Sequence, residues 1–161
     1  MKHSVLLDTS FFIRLLNDED KLHKNALDYF RYFLENDYIL KVSTISIAEY
    51  CVKGKLDELP LVNIQIVPFN LDHAQRTGTF AEVIFKENSI SEEKLIPRAI
   101  IPNDSKLFAQ ADLDKTILYF VTSDIRSKKT LNKLKTLINP KFSILDIHIP
   151  YNEAFGVLDL K

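Results

Sequence analysis

At 161 residues, 46% hydrophobic and 27% charged with only three glycines, the chain is sized and composed for one folded domain, which excludes a disordered or fibrous protein. A formal net charge of −1 and a pI of about 6.4 exclude a whole-molecule basic field, so any contact with nucleic acid has to come from a local patch. The lone Cys51 cannot form an internal disulfide, and with histidines only at 3, 23, 73 and 148 there is no zinc-ligand spacing, which points to a reducing, cytoplasmic setting.

Val5 to Leu7 form a short apolar run suited to a buried strand, and Thr9 or Ser10 can open a helix through Leu16. From Lys24 to Asn36, Leu27, Phe30, Phe33 and Leu34 recur at helical spacing before the strand-like YILKVS. STISIAEYCVKG then predicts a helix capped by Ser43 or Thr44, with Ile45, Ala48 and Val52 inward, Glu49 in its middle and Cys51 a small buried hydrophobe. NIQIVPF reads as a third strand. The next helix sets Leu71, Ala74, Gly78, Ala81 and Phe85 along one face.

Residues 86 to 102 mix charges with two prolines and read as a loop with one helical turn around SEEKLI. Pro102 disfavours helix at Ile101, so the next helix starts at Asn103 or Asp104 and carries Leu107, Phe108 and Ala111 inward. TILYFVT is the clearest strand of the chain. An amphipathic helix with Leu131, Leu134, Leu137 and Ile138 on one side, a strand FSILDI and an irregular tail complete it. No apolar run reaches the roughly 18 residues of a membrane span, and Asp8 interrupts the N-terminal one, so neither a span nor a secretion signal is expected. Strands alternating with helices predict an α/β fold, a three-layer α/β/α sandwich around a mainly parallel sheet. A single domain over 1–161 is expected, with its core at about 4–147 and a C-terminal extension at 148–161.

Asp8 and Asp124 each follow a strongly apolar strand and precede helix-forming sequence, which is where open parallel sheets bind ligands. Asp104 at a helix start and Glu49 on the helix after the second strand are two further candidates. Each acid alone has an ordinary use: Asp8 or Asp104 as a helix cap, Asp124 as a turn residue, Glu49 as a solvated helix position. Four converging carboxylates would repel one another by several kcal/mol unless a cation neutralised them, and oxygen-only ligands select a hard ion, Mg²⁺ or Mn²⁺. Asp112, Asp114 and the Asp18-Glu19-Asp20 cluster read as surface groups. The aromatic residues at 29, 30, 32 and 33 read as core or partner interface rather than as a base-stacking platform.

In this order, LLDTSFFIRLL, STISIAEY, IPNDSKLFAQAD and FVTSD resemble the PIN-domain family of metal-dependent ribonucleases, and within it the small VapC-like toxins of toxin–antitoxin pairs, over about residues 4 to 147. The resemblance implies that Asp8, Glu49, Asp104 and Asp124 are the catalytic, metal-holding acids, with Thr9, Ser10 and Thr122 orienting carboxylates and water. It implies hydrolysis of RNA phosphodiester bonds to a 5′-phosphate and a 3′-hydroxyl, an antitoxin partner whose segment covers the cleft, and a homodimer. Arg126, Lys128 and Lys129, directly after Asp124, would contact RNA phosphates, or are the solvated face of their helix.

Other functions remain open at this stage. They are a PIN nuclease of RNA maturation or quality control, a non-catalytic PIN module that binds RNA or protein, and a phosphatase or receiver domain using Asp8 as nucleophile. A haloacid-dehalogenase-like phosphatase would place a second Asp where this chain has Ser10, and a receiver domain an acidic pair that is missing.

Overall fold

A computed structural model describes residues 2–88 and 102–158. In chain order the elements are β1 (Ser4–Leu7), α1 (Thr9–Leu15), α2 (His23–Glu35), β2 (Ile39–Ser43), α3 (Thr44–Tyr50), β3 (Ile64–Val67), α4 (Leu71–Asn88), α5 (Asn103–Leu113), β4 (Ile117–Thr122), α6 (Ile125–Lys135), β5 (Ser143–Asp146) and α7 (Tyr151–Phe155). The strands form one sheet in the order β3-β2-β1-β4-β5, and every pairing is parallel. β1 is central, with β2 on one side and β4 on the other, so the strand order reverses between β1 and β4.

Side chains alternate across the sheet as the pleat requires. Leu7, Val121 and Leu145 face a core built with Phe11, Phe12, Tyr29 and Phe33 of α1 and α2. Leu6, Phe120 and Ile144 face the other core, with Phe80, Leu107, Phe108 and Leu131 of α4, α5 and α6. Both faces are therefore covered, and the expected α/β/α sandwich with a parallel sheet is the fold found. Among the described residues, no helix is long and apolar enough to cross a membrane.

Several local expectations are corrected by packing. On α4 the buried stripe is His73, Thr77, Phe80, Ala81 and Ile84, while Leu71, Ala74 and Gly78 are exposed. The helix is turned because the polar members are satisfied locally. Thr77 Oγ1 donates to the His73 carbonyl over 2.7 Å, and the His73 ring accepts from the Asn70 N–H over 3.1 Å. α4 runs to Asn88, through the start of the loop expected from residue 86, and residues 89–101 of that stretch, with SEEKLI, lie outside the described residues. α3 stops at Tyr50, so Glu49 lies in its last turn, while Val52 and Cys51 are exposed rather than buried.

Asp112 is buried, not on the surface. Arg76 donates to its Oδ2 over 2.6 and 2.9 Å, and the Lys141 N–H donates to Oδ1 over 2.9 Å. Asp114 is half-buried and paired with the covered Lys41 of β2 at 2.5 Å. Asp20 bonds Arg14 and accepts from the Leu22 N–H over 2.8 Å, so one member of the acidic loop cluster is structural. The tail is not irregular. α7 places Phe155 in a stack on Tyr32 at 4.4 Å and Tyr151 against Tyr29, and it ends at Gly156 in the left-handed region (φ 63°), which glycine adopts without strain. The aromatic residues of α2 are core, as expected.

Candidate active site

The carboxyl ends of β1 and β4 bring Asp8 beside Thr122. Asp8 is at the N-terminal boundary of α1, yet its side chain does not cap that helix. Instead its Oδ2 accepts from Ser10 Oγ over 2.7 Å and from Thr122 Oγ1 over 2.8 Å. Each hydroxyl has a single proton and spends it on Asp8, which leaves their oxygens to accept from the Ser123 N–H (2.9 Å) and the Asp124 N–H (3.0 Å) respectively. The turn after β4 is thereby tied to the one after β1.

Glu49 sits in the last turn of α3, where a negative charge is disfavoured by the helix dipole. Thr9 Oγ1 holds it with a 2.6 Å bond to Oε2, and Asn103 Nδ2 donates to Oε1. Asp104 lies in the first turn of α5, where its charge is favoured, and Ser127 Oγ donates to it over 3.1 Å. Asp124 caps α6, accepting from the Arg126 N–H over 2.9 Å, a cap role where a turn residue was the ordinary expectation. With the chain itself joining Asn103 to Asp104 and Asp8 to Thr9, and the Ser127 N–H donating to the Asp124 carbonyl over 3.2 Å, the links close into a ring running from Asp8 through Thr122, Asp124, Ser127, Asp104, Asn103, Glu49 and Thr9 back to Asp8. All four expected acids, with Thr9 and Thr122, are members, and Ser10 is attached to it through Asp8.

The charge in the ring is unbalanced. Burial raises the Asp8 carboxyl above its usual range against the Ser10 and Thr122 bonds, and the charge of Glu49 adds to the rise. Asp104 is pushed up to about 6, first by burial and then by Asp8, with Asp124 and Glu49 adding and Ser127 opposing. Among the described residues, no three Asp, Glu, His or Cys side chains converge closely enough to hold an ion as they stand. Each carboxylate is turned onto its neighbouring hydroxyl, amide or guanidinium donors. A hard cation fits the donor chemistry and would relieve the repulsion.

Two ring members escaped the sequence reading, Asn103 and the fully buried Ser127. Their signal was a small polar residue directly before one acid and another three residues past the next. Arg14 is a third neighbour, at 3.4 Å from Ser123 Oγ. Of the three cations expected to meet RNA, Arg126 extends into solvent beside Asp124, Lys129 is exposed, and Lys128 is paired with Asp146 at 3.0 Å.

No family model and no curated protein matches the chain. Its structure is similar to that of VapBC2 from Rickettsia felis bound to a DNA fragment from their promoter, at 17% identity and a TM-score of 0.57, covering 88% of this chain and 97% of that one. It is also similar to DNA-bound VapBC from Salmonella typhimurium, at 17% identity and a TM-score of 0.52, covering 90% of this chain and 98% of that one. This chain carries the PIN-like α/β/α fold of those VapBC structures.

Proposed function

We propose that the protein is a metal-dependent endoribonuclease and serves as the toxin of a toxin–antitoxin pair. The observation that carries the nuclease reading is the ring of Asp8, Glu49, Asp104 and Asp124 at the β1/β4 reversal, with Asp104 pushed up to about 6 by burial and then by its neighbours' charge. The toxin role rests on the shared fold with VapBC proteins, and we extend to this chain an antitoxin partner that covers the acidic cleft and a homodimeric state.

Asp8, Asp104 and Asp124, with Glu49, would hold Mg²⁺ or Mn²⁺, which when bound supplies an acidified water and neutralises charge on the attacked phosphate. Thr122 and Ser10 hold the Asp8 carboxylate in one orientation, and Thr9 with Asn103 does the same for Glu49. Ser127 favours the ionised form of Asp104 that a cation requires. Attack in line with the leaving oxygen gives a 5′-phosphate and a 3′-hydroxyl.

The test is incubation of end-labelled cellular RNA with purified protein in Mg²⁺, Mn²⁺ or chelator, beside Asp124→Asn. Cleavage that requires the metal and vanishes in the variant is the expected result. Undiminished cleavage by the variant, or cleavage in chelator, overturns it.

A further inference from the structure

Asp146 ends β5 one strand beyond Thr122, its register partner, and on the same face of the sheet. Asp8, Thr122 and Asp146 thus form a row across three adjacent strand ends, which puts Asp146 about 10 Å from Asp8 at the usual strand spacing. The adjacent residues Ser127 and Lys128 of α6 reach in two directions, Ser127 to Asp104 in the ring and Lys128 to Asp146.

The Asp146 side chain is 13% exposed and lies beneath Lys128 (43%) and His148 (38%). Lys128 Nζ donates to Oδ2 over 3.0 Å, while the His148 N–H (3.0 Å) and ring Nδ1 (2.6 Å) both contact Oδ1. Burial raises the Asp146 carboxyl, but these bonds outweigh it and hold it below its usual range. An ionised carboxylate only accepts, so the His148 ring carries a proton on Nδ1 and turns Nε2 away from Asp146, where it can meet a hydroxyl. Lys128 keeps two donors beyond the one spent on Asp146. The half-exposed surface therefore presents a cationic donor beside an imidazole nitrogen. A backbone phosphate takes the first and a hydroxyl takes the second, a pairing found together in a ribonucleotide and absent from a deoxyribonucleotide.

We propose that Lys128 and His148, held by Asp146, form a ribose-phosphate subsite for a nucleotide neighbouring the cleaved bond, Lys128 taking its phosphate and His148 Nε2 its ribose 2′-hydroxyl. The subsite rests on the ribonuclease reading and makes His148 the residue that separates RNA from DNA.

The experiment measures fluorescence polarisation of a single-stranded oligoribonucleotide and the DNA of the same sequence, with Ca²⁺ in place of Mg²⁺ and over a salt series. The proteins are the wild type, His148→Ala and Lys128→Ala, each checked by thermal melting. The wild type should prefer RNA. His148→Ala should cut the RNA/DNA affinity ratio about five- to tenfold, the worth of one hydrogen bond. Lys128→Ala should weaken both ligands alike and lower the salt slope by about one.

A ratio that His148→Ala leaves intact overturns the subsite, as does failure of the wild type to bind RNA. If the ratio collapses as expected but no RNA is cut in Mg²⁺ or Mn²⁺, the subsite stands and the nuclease reading falls. Metal-dependent cleavage with an intact ratio in His148→Ala sinks the subsite alone.

Discussion

Thr122 Oγ1 donates to Asp8 Oδ2 over 2.8 Å, joining the ends of β4 and β1 across 114 positions of sequence. The bond favours the ionised carboxylate against burial, which still leaves the carboxyl raised above its usual range, and it passes through the point where the strand order reverses. Asp8 is 6% exposed, the most buried of the four site acids, so among them its charge is the most costly without a counter-ion.

Asp8→Asn removes that charge while keeping an oxygen for the Ser10 and Thr122 hydroxyls. Metal-dependent cleavage should fall by about a hundredfold or more, while the melting temperature without metal stays level or rises. A variant that melts well below the wild type would show that Asp8 serves the fold rather than the site.

The raised Asp104 carboxyl sets a pH dependence with a definite sign. Its value of about 6 exceeds the ordinary 3.8, so between about pH 4 and 6 the native state binds more protons than the unfolded one. By linkage, stability then falls as pH rises through that window. Half-burial and solvent screening reduce the effect to about 1–2 kcal/mol. Asp20, Asp114 and Asp146 are lowered instead, so their stabilisation is lost only as pH falls further, below about 4. Urea unfolding of metal-free protein at pH 4.5, 5.5 and 6.5 should show the decline, and both Mg²⁺ and Asp104→Asn should flatten it.

Ser127→Ala deletes the hydroxyl that favours ionised Asp104 and leaves a methyl of similar size in a buried place. The metal concentration for half-maximal cleavage should rise about tenfold, the usual effect of removing a group that orients a ligand. The rate at saturating metal should change less. An unchanged metal titration would place Ser127 outside the site's chemistry.

Arg76→Ala tests the structural role of Asp112. Arg76 covers Asp112 and rests on the Phe80 ring at 4.7 Å, so its loss leaves a buried carboxylate with only the Lys141 N–H. Urea denaturation should report a loss of about 3 kcal/mol. Cleavage per folded molecule should be unaltered, because neither residue belongs to the acidic ring.

The sequence by itself determined the strands and the α/β class, and it singled out the four acids as candidates. Runs such as VLL and ILYFVT are apolar on both faces, and acids directly beyond buried strands are costly enough to stand out. Elements whose burial rests on polar residues were not legible. On α4, His73 and Thr77 are buried because neighbouring groups satisfy them, whereas the more apolar face with Leu71 and Ala74 is exposed. Asp112 looked like a surface group because its partners Arg76 and Lys141 are 36 and 29 positions away.

Only the tertiary structure decided which groups hold each acid, since every link from Thr9 to Glu49, Asn103 to Glu49, Ser127 to Asp104 and Thr122 to Asp8 joins separate elements. It also decided the place of Asp146, whose meaning comes from lying one strand beyond Thr122. Local sequence encodes burial and helical period because both arise from near neighbours. A hydrogen bond between chain segments exists only once the parallel sheet has put their ends side by side.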